Sequence, residues 1–161
     1  MNSSSTKSIF ERGAWYVVIQ AILIGLILFG PQGLPLVISE PLATILQSCG
    51  IAIGFLACLI MAIAVINLGK NLTPLPCPKD DAELIQTGLY RFVRHPIYFG
   101  VLLAALAWLL IFPGVYVLVY FIALFFLFDV KARREEVWLV ERFPSYRDYQ
   151  ASVKKLIPAI Y

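Results

Sequence analysis

Charge is scarce in this chain. Only 14% of its 161 residues are Asp, Glu, Lys or Arg, against about 25% in ordinary soluble domains. Histidine is scarcer still: His95 is the only one, which excludes a histidine-based metal cluster. The three cysteines, Cys49, Cys58 and Cys77, show neither a C-x-x-C pair nor a histidine at ligand spacing, so neither a disulfide scaffold nor a zinc site is expected. There is no internal repeat, and the only low-complexity stretch is residues 3–6. What the chain has in excess is apolar surface, at 60% of residues and a mean hydropathy of +0.82. That excludes a disordered chain, which requires low hydrophobicity and high net charge, and the length excludes a large multidomain enzyme. The composition predicts a small integral membrane protein.

Four apolar stretches carry that excess, at residues 13–29, 42–68, 96–112 and 114–130. A membrane-spanning helix needs about 17–25 residues. The first and third meet the minimum, the second is long enough to tilt, and the fourth requires Asp129 and Val130 to continue it. Gly30-Pro31 is a poor cleavage site, so the first stretch reads as a span rather than a signal peptide. Pro113-Gly114 is a turn too short for a loop and predicts a tight antiparallel hairpin of the last two spans. The reading is an all-α, single-domain bundle of four transmembrane helices with an amphipathic helical tail over residues 131–161. In that tail, residues 130–143 form a charged helical piece ended by Pro144, and Ser145 is placed to cap the next. Tyr146, Tyr149, Val153 and Leu156 then recur on one helix face.

Placing the amino terminus inside puts all 13 Lys and Arg residues on one side, in segments 1–12, 69–95 and 129–161. Lys7 and Arg12 open this series. The positive-inside rule asks for a bias, and here the segregation is complete. Both termini and any active site are therefore expected at the cytoplasmic face, because the outer face offers only Gln32, Ser39 and Glu40.

Two clusters could carry chemistry. Residues 88–100 bring Tyr90, Arg91, Arg94, His95 and Tyr98 to the start of the third span, with Pro96 at its first helical position. The N–H groups and positive dipole of that helix end suit a carboxylate or phosphate. An interfacial belt explains the same residue types. The second cluster, Lys131, Arg133, Arg134, Glu135 and Glu136, follows the fourth span, and Lys131 can pair with Glu135 four residues on. A solvated charged face is the alternative. Across the hairpin the clusters become neighbours, offering anion-binding groups, carboxylates for an ammonium and tyrosine faces for a cation. A zwitterion with a further positive charge, such as S-adenosylmethionine, fits; a lipid headgroup fits the same chemistry.

The chain also resembles a known group. Residues 68–74, residues 83–90 and the run Arg94-His95-Pro96-Ile97-Tyr98-Phe99-Gly100 are similar to the isoprenylcysteine carboxyl methyltransferase and phospholipid methyltransferase family. So are residues 131–139, residues 141–149 and Leu156-Ile157-Pro158. The resemblance covers about residues 65–158; the first two spans carry no signature. It implies an S-adenosylmethionine-dependent methyltransferase of the bacterial cell membrane acting on a lipophilic acceptor, isoprenylcysteine carboxyl, phospholipid or small thiol or amine. It further implies a cofactor site of Leu84, Ile85, Tyr90, Arg94, His95, Pro96, Ile97 and Tyr98, with Glu135 or Glu136 holding the amino group. A basic residue one turn before the glutamates is expected at the substrate. Lys131 stands where arginine is expected in the prenylcysteine enzymes, with Arg134 or Arg142 as substitutes. A base would be needed only for an amine or thiol, and His95 is the candidate.

The competing class is a non-catalytic transporter or membrane assembly subunit. Gly50 and Gly54 form a G-x-x-x-G pair that suits helix packing, within the chain or in an oligomer. Transport is disfavoured because the four spans lack a central ionisable residue.

Overall fold

A computed structural model describes residues 12–34, 38–77, 79 and 81–161. The predicted Lys7 lies outside them. The described residues form five α-helices: α1 (Ala14–Phe29), α2 (Glu40–Leu68), α3 (Pro96–Ile111), α4 (Val115–Arg142) and α5 (Tyr146–Ser152). Short 3-10 turns lie at Gly69–Asn71 and Gly88–Arg91. The all-helical class agrees with the sequence reading. Among the described residues, α2 and α4 are long and apolar enough to cross a membrane. Helices α1 and α3, at 16 residues each, fall just short of the usual minimum of about 17.

Helices α2 and α3 run antiparallel along a seam of small residues. A Cβ on Gly50 would meet Ile111 Cγ1 at 2.8 Å and the Ala107 carbonyl at 2.9 Å; one on Gly100 would meet Met61 Cγ at 2.5 Å. Ala57 and Ala64 are fully buried and Ala107 nearly so. Small side chains let the two backbones approach and replace hydrophobic drive with close van der Waals contact. The Gly50/Gly54 pair is thus packed against α3, the within-chain alternative of the sequence reading. Helix α1 packs against α4, and α3 touches α1, α2 and α4. The central apolar cluster, including Ile27, Leu102, Leu124, Phe128 and Leu156, sits at their meeting point.

The main departure from the sequence reading concerns α4. The fourth span and the first tail piece are one continuous helix of 28 residues, because nothing between Gly114 and Pro144 breaks the backbone ladder. Its polar residues find partners instead of ending it. Arg133 donates to Asp129 at 2.8 Å, one turn back. Lys155 also donates to Asp129, and Tyr161 donates its hydroxyl to the same oxygen at 2.8 Å.

The tail differs too. Helix α5 has seven residues, so Val153 and Leu156 lie beyond it, although Leu156 is fully buried. Ser145 occupies the N-cap position but its side chain makes no capping hydrogen bond. The following segment folds back along the approach to α3: Arg94 N–H donates to the Lys154 carbonyl at 2.8 Å and His95 N–H to that of Lys155 at 3.1 Å. These two N–H groups, just ahead of α3, are consumed by the tail rather than left for an anion.

Candidate functional site: two adjoining cavities

Gly88 begins the construction. Its φ of +61° is one that L side chains rarely adopt, and a Cβ there would lie 2.1 Å from Asn67 Oδ1. That oxygen accepts the Leu89 N–H at 3.0 Å, fixing the turn that carries Tyr90 inward. Tyr90 is held from the other side, since the Tyr149 hydroxyl donates to its carbonyl. Tyr90, Tyr146 and Tyr149 are all buried. Burial pushes each phenol up, well above the ordinary value of 10.0, with the Glu135 or Glu136 carboxylate nearby adding to the effect.

The two adjacent glutamates of α4 have different surroundings. Glu136 Oε1 accepts from Arg94 Nε at 2.7 Å and faces His95 Nε2 at 3.1 Å. Its other oxygen accepts from Gln150 Nε2 at 2.8 Å. Arg94 also donates to the carbonyls of Gln150 and Val153. This buried knot ties α4 to α5 and to the start of α3. Glu135 is turned about 100° away on the helix. It accepts the Tyr98 hydroxyl at 2.8 Å and faces His95 Nδ1 at 3.7 Å.

Glu135 lines two adjoining cavities, of about 320 and 80 Å³. Both are bordered by Leu68, Thr73, Tyr90, Arg94, His95 and Glu135. The larger continues past Ile97, Tyr98 and Val101 of α3 to Gln20 of α1 and Lys131 of α4. The smaller continues past Leu84 and Ile85 toward Leu139, Tyr146 and Tyr149. The predicted Leu84, Ile85, Tyr90, Arg94, His95, Ile97, Tyr98, Lys131 and Glu135 therefore converge on one region. Pro96 and Glu136 are buried beside it and line neither cavity. Arg134 and Arg142 are exposed, lie over the rings of Trp138 and Phe143, and also line neither.

Lys131 is not part of a solvated face, as its charged neighbours suggest, but is 2% exposed. Its Nζ donates to Gln20 Oε1 at 2.7 Å instead of pairing with Glu135, and lies 5.1 Å from the Tyr98 ring centroid. Tyr98 in turn stacks between His95, at 5.2 Å, and Phe128, at 4.8 Å. Sequence reasoning missed Gln20, Asn67, Thr73 and Gln150. For Gln20 a signal existed: it is the one carboxamide within the apolar run of α1. Tyr146 and Tyr149 were read as packing residues, and they pack while also walling the smaller cavity.

An apolar helical bundle with a polar chamber at one end defines the class of this fold, an intramembrane helical protein. Within it, the chain belongs to the isoprenylcysteine carboxyl methyltransferase (ICMT) family, whose model matches residues 50–141. Two proteins named protein-S-isoprenylcysteine O-methyltransferase are each 31% identical to it, from Dictyostelium discoideum over 107 residues and from Schizosaccharomyces pombe over 116. These alignments cover 64% and 68% of this chain but 45% and 49% of the relatives. The chain thus spans about half the length of the curated relatives it matches. Its fold also matches the structure of the eukaryotic intramembrane Ras methyltransferase ICMT, with a TM-score of 0.65, 24% identity, and coverage of 99% of this chain and 55% of that one.

Proposed function

We propose that this chain is an S-adenosylmethionine-dependent methyltransferase acting at the cytoplasmic edge of a membrane on a lipophilic acceptor. One observation carries the reading: the two cavities share the Glu135, His95 and Tyr90 wall, so that donor and acceptor can meet across it. The donor set suits the cofactor. Glu135 supplies a carboxylate for an ammonium, Tyr90, His95 and Tyr98 supply ring faces for a sulfonium, and Leu84 and Ile85 supply apolar contact. When bound, S-adenosylmethionine brings a methyl group already activated by its positive sulfur.

Size sets a condition on that fit. Ligand sites usually occupy about 300–1,000 Å³; the larger cavity reaches that range and the smaller does not. Admission of an adenosyl group beside Leu84 and Ile85 requires the smaller cavity to widen.

The protein's own part is alignment and exclusion of water. His95 Nε2 faces Glu136 at 3.1 Å, while its Nδ1 lies 3.7 Å from Glu135, a separation longer than a hydrogen bond. An acceptor already ionised at neutral pH, such as a carboxylate, needs no base, whereas an amine or thiol would need one. A carboxylate is also what the names of the two curated relatives imply for those proteins. We further read α1 to α4 as four spans of a single membrane domain, with both termini cytoplasmic and the setting a bacterial cell membrane. The segregation of Lys and Arg supports that orientation.

The test is calorimetric titration of the detergent-purified protein with S-adenosylhomocysteine, beside Glu135→Gln. Micromolar binding by the wild type, lost in the folded variant, is expected. No binding by the wild type in detergent and in lipid nanodiscs would refute the reading.

A further inference from the structure

Lys131 is nearly fully enclosed and, among the described residues, in contact with no carboxylate. Among the described residues no carboxylate lies within 4 Å of its Nζ: the carboxylates of this region face other groups, Glu136 facing Arg94 and His95, Glu135 facing His95, and Asp129 facing Arg133 and Lys155. Its partners are the Gln20 amide oxygen at 2.7 Å and the face of Tyr98. An ammonium has three donors, and the amide occupies one. A buried charge is costly unless paired, and here the open side of the ammonium is the larger cavity.

We propose that Gln20 is a positioning residue for the acceptor, acting through Lys131, and that the pair makes the larger cavity select lipophilic molecules bearing an anionic group over their neutral counterparts. The proposal rests on the methyl-transfer reading of that cavity and adds to it an element outside the family match at residues 50–141. A glutamate at position 20 would hold the ammonium equally well and neutralise it. Glutamine orients it and leaves the charge available. The location of Gln20, amid the apolar residues of α1, fits that role: its oxygen is satisfied only because α1 packs against α4 at Lys131. Gln20 thereby fixes the ammonium in the wall of the cavity that Arg94 and Glu135 also line. The aromatic column of Phe128, Tyr98 and His95 spans the interval.

The experiment compares two fluorescent probes in non-ionic detergent, 11-(dansylamino)undecanoic acid and its methyl ester, by titration against wild type, Gln20→Glu and Gln20→Met. Calorimetry with S-adenosylhomocysteine is run on the same samples. Wild type is expected to prefer the acid by about ten- to a hundredfold, the range of a charge-assisted hydrogen bond. Gln20→Glu is expected to bring the ratio close to one, and Gln20→Met to lower it, while ester and S-adenosylhomocysteine affinities stay unchanged. A merely structural role would weaken acid and ester together. A wild-type ratio near one overturns the proposal without any variant, as does an acid preference retained in Gln20→Glu. If S-adenosylhomocysteine fails to bind wild type while the acid preference holds, the methyl-transfer reading falls and the anion-selecting pair stands.

Discussion

Glu135 and Glu136 are neighbours in sequence with opposite duties, and alanine at each should separate them. At Glu136 the perturbation removes a carboxylate that receives Arg94 and Gln150 and faces His95. The Arg94 and Glu136 side chains are 9% and 7% exposed. Deleting one partner of a buried pair strands the other charge, at a cost of about 3–5 kcal/mol. For a chain of this length each kcal/mol moves the melting temperature by about 2–4 °C, so Glu136→Ala should melt about 6–20 °C below wild type. Glu135 accepts a single hydrogen bond, from Tyr98, and its side chain is 25% exposed. A hydrogen bond to a charged group is worth about 1.5–3 kcal/mol, which corresponds to about 3–12 °C. The assay is thermal unfolding in detergent followed by circular dichroism, with S-adenosylhomocysteine titration of whatever remains folded at 20 °C. Glu135→Ala should be the more stable of the two and unable to bind; Glu136→Ala should be the less stable, with binding retained in the folded fraction. A Glu136→Ala melting temperature within 2 °C of wild type, or a larger loss for Glu135→Ala, would refute the division of roles.

Two further outcomes follow from geometry outside that pair. Gly50→Val should cost about 1–3 kcal/mol, because its Cβ would press on Ile111 and on the Ala107 backbone; an unchanged melting temperature would contradict the seam between α2 and α3. The buried phenols of Tyr90, Tyr146 and Tyr149, raised above 10.0 by burial, give stability that is complete below their unfolded value and declines as pH rises past it. Tyrosinate absorbance from these three should therefore appear together with loss of helix in an alkaline titration; its appearance in a fully folded protein would show that the cavity wall is wet.

Much of this was legible in the sequence, for identifiable reasons. Helix positions follow from apolar runs bounded by Gly30-Pro31, Gly69 and Pro113-Gly114, all signals local to a few residues. Residues 94–100 and 131–149 announced the site through their resemblance to family motifs, since an interfacial belt calls for the same polar and aromatic side chains. What escaped depends on long-range pairing. Asp129 looks like the end of a span until Lys155 and Tyr161 are brought to it from 26 and 32 residues away. Lys131 looks solvated until α1 arrives with Gln20, 111 positions earlier. Arg94 looks like a ligand-binding arginine, and its three protein partners on α4 and the tail show a staple bordering the chamber.

The continuity of α4 has a consequence for what evolution or an engineer can alter. Phe128, in the apolar cluster, and Glu135, in the chamber wall, are seven residues apart on one rod, about 10.5 Å or two turns. Their relation is a matter of phase as well as height. Lengthening a loop leaves that phase untouched, whereas one residue inserted between them would swing the carboxylate about 100° around the helix axis. Such an insertion would turn Arg134 toward the chamber and send Glu135 to the phase that Glu136 now holds. The chemistry is geared to the membrane by a tooth count, and only changes that preserve the count keep the two in mesh.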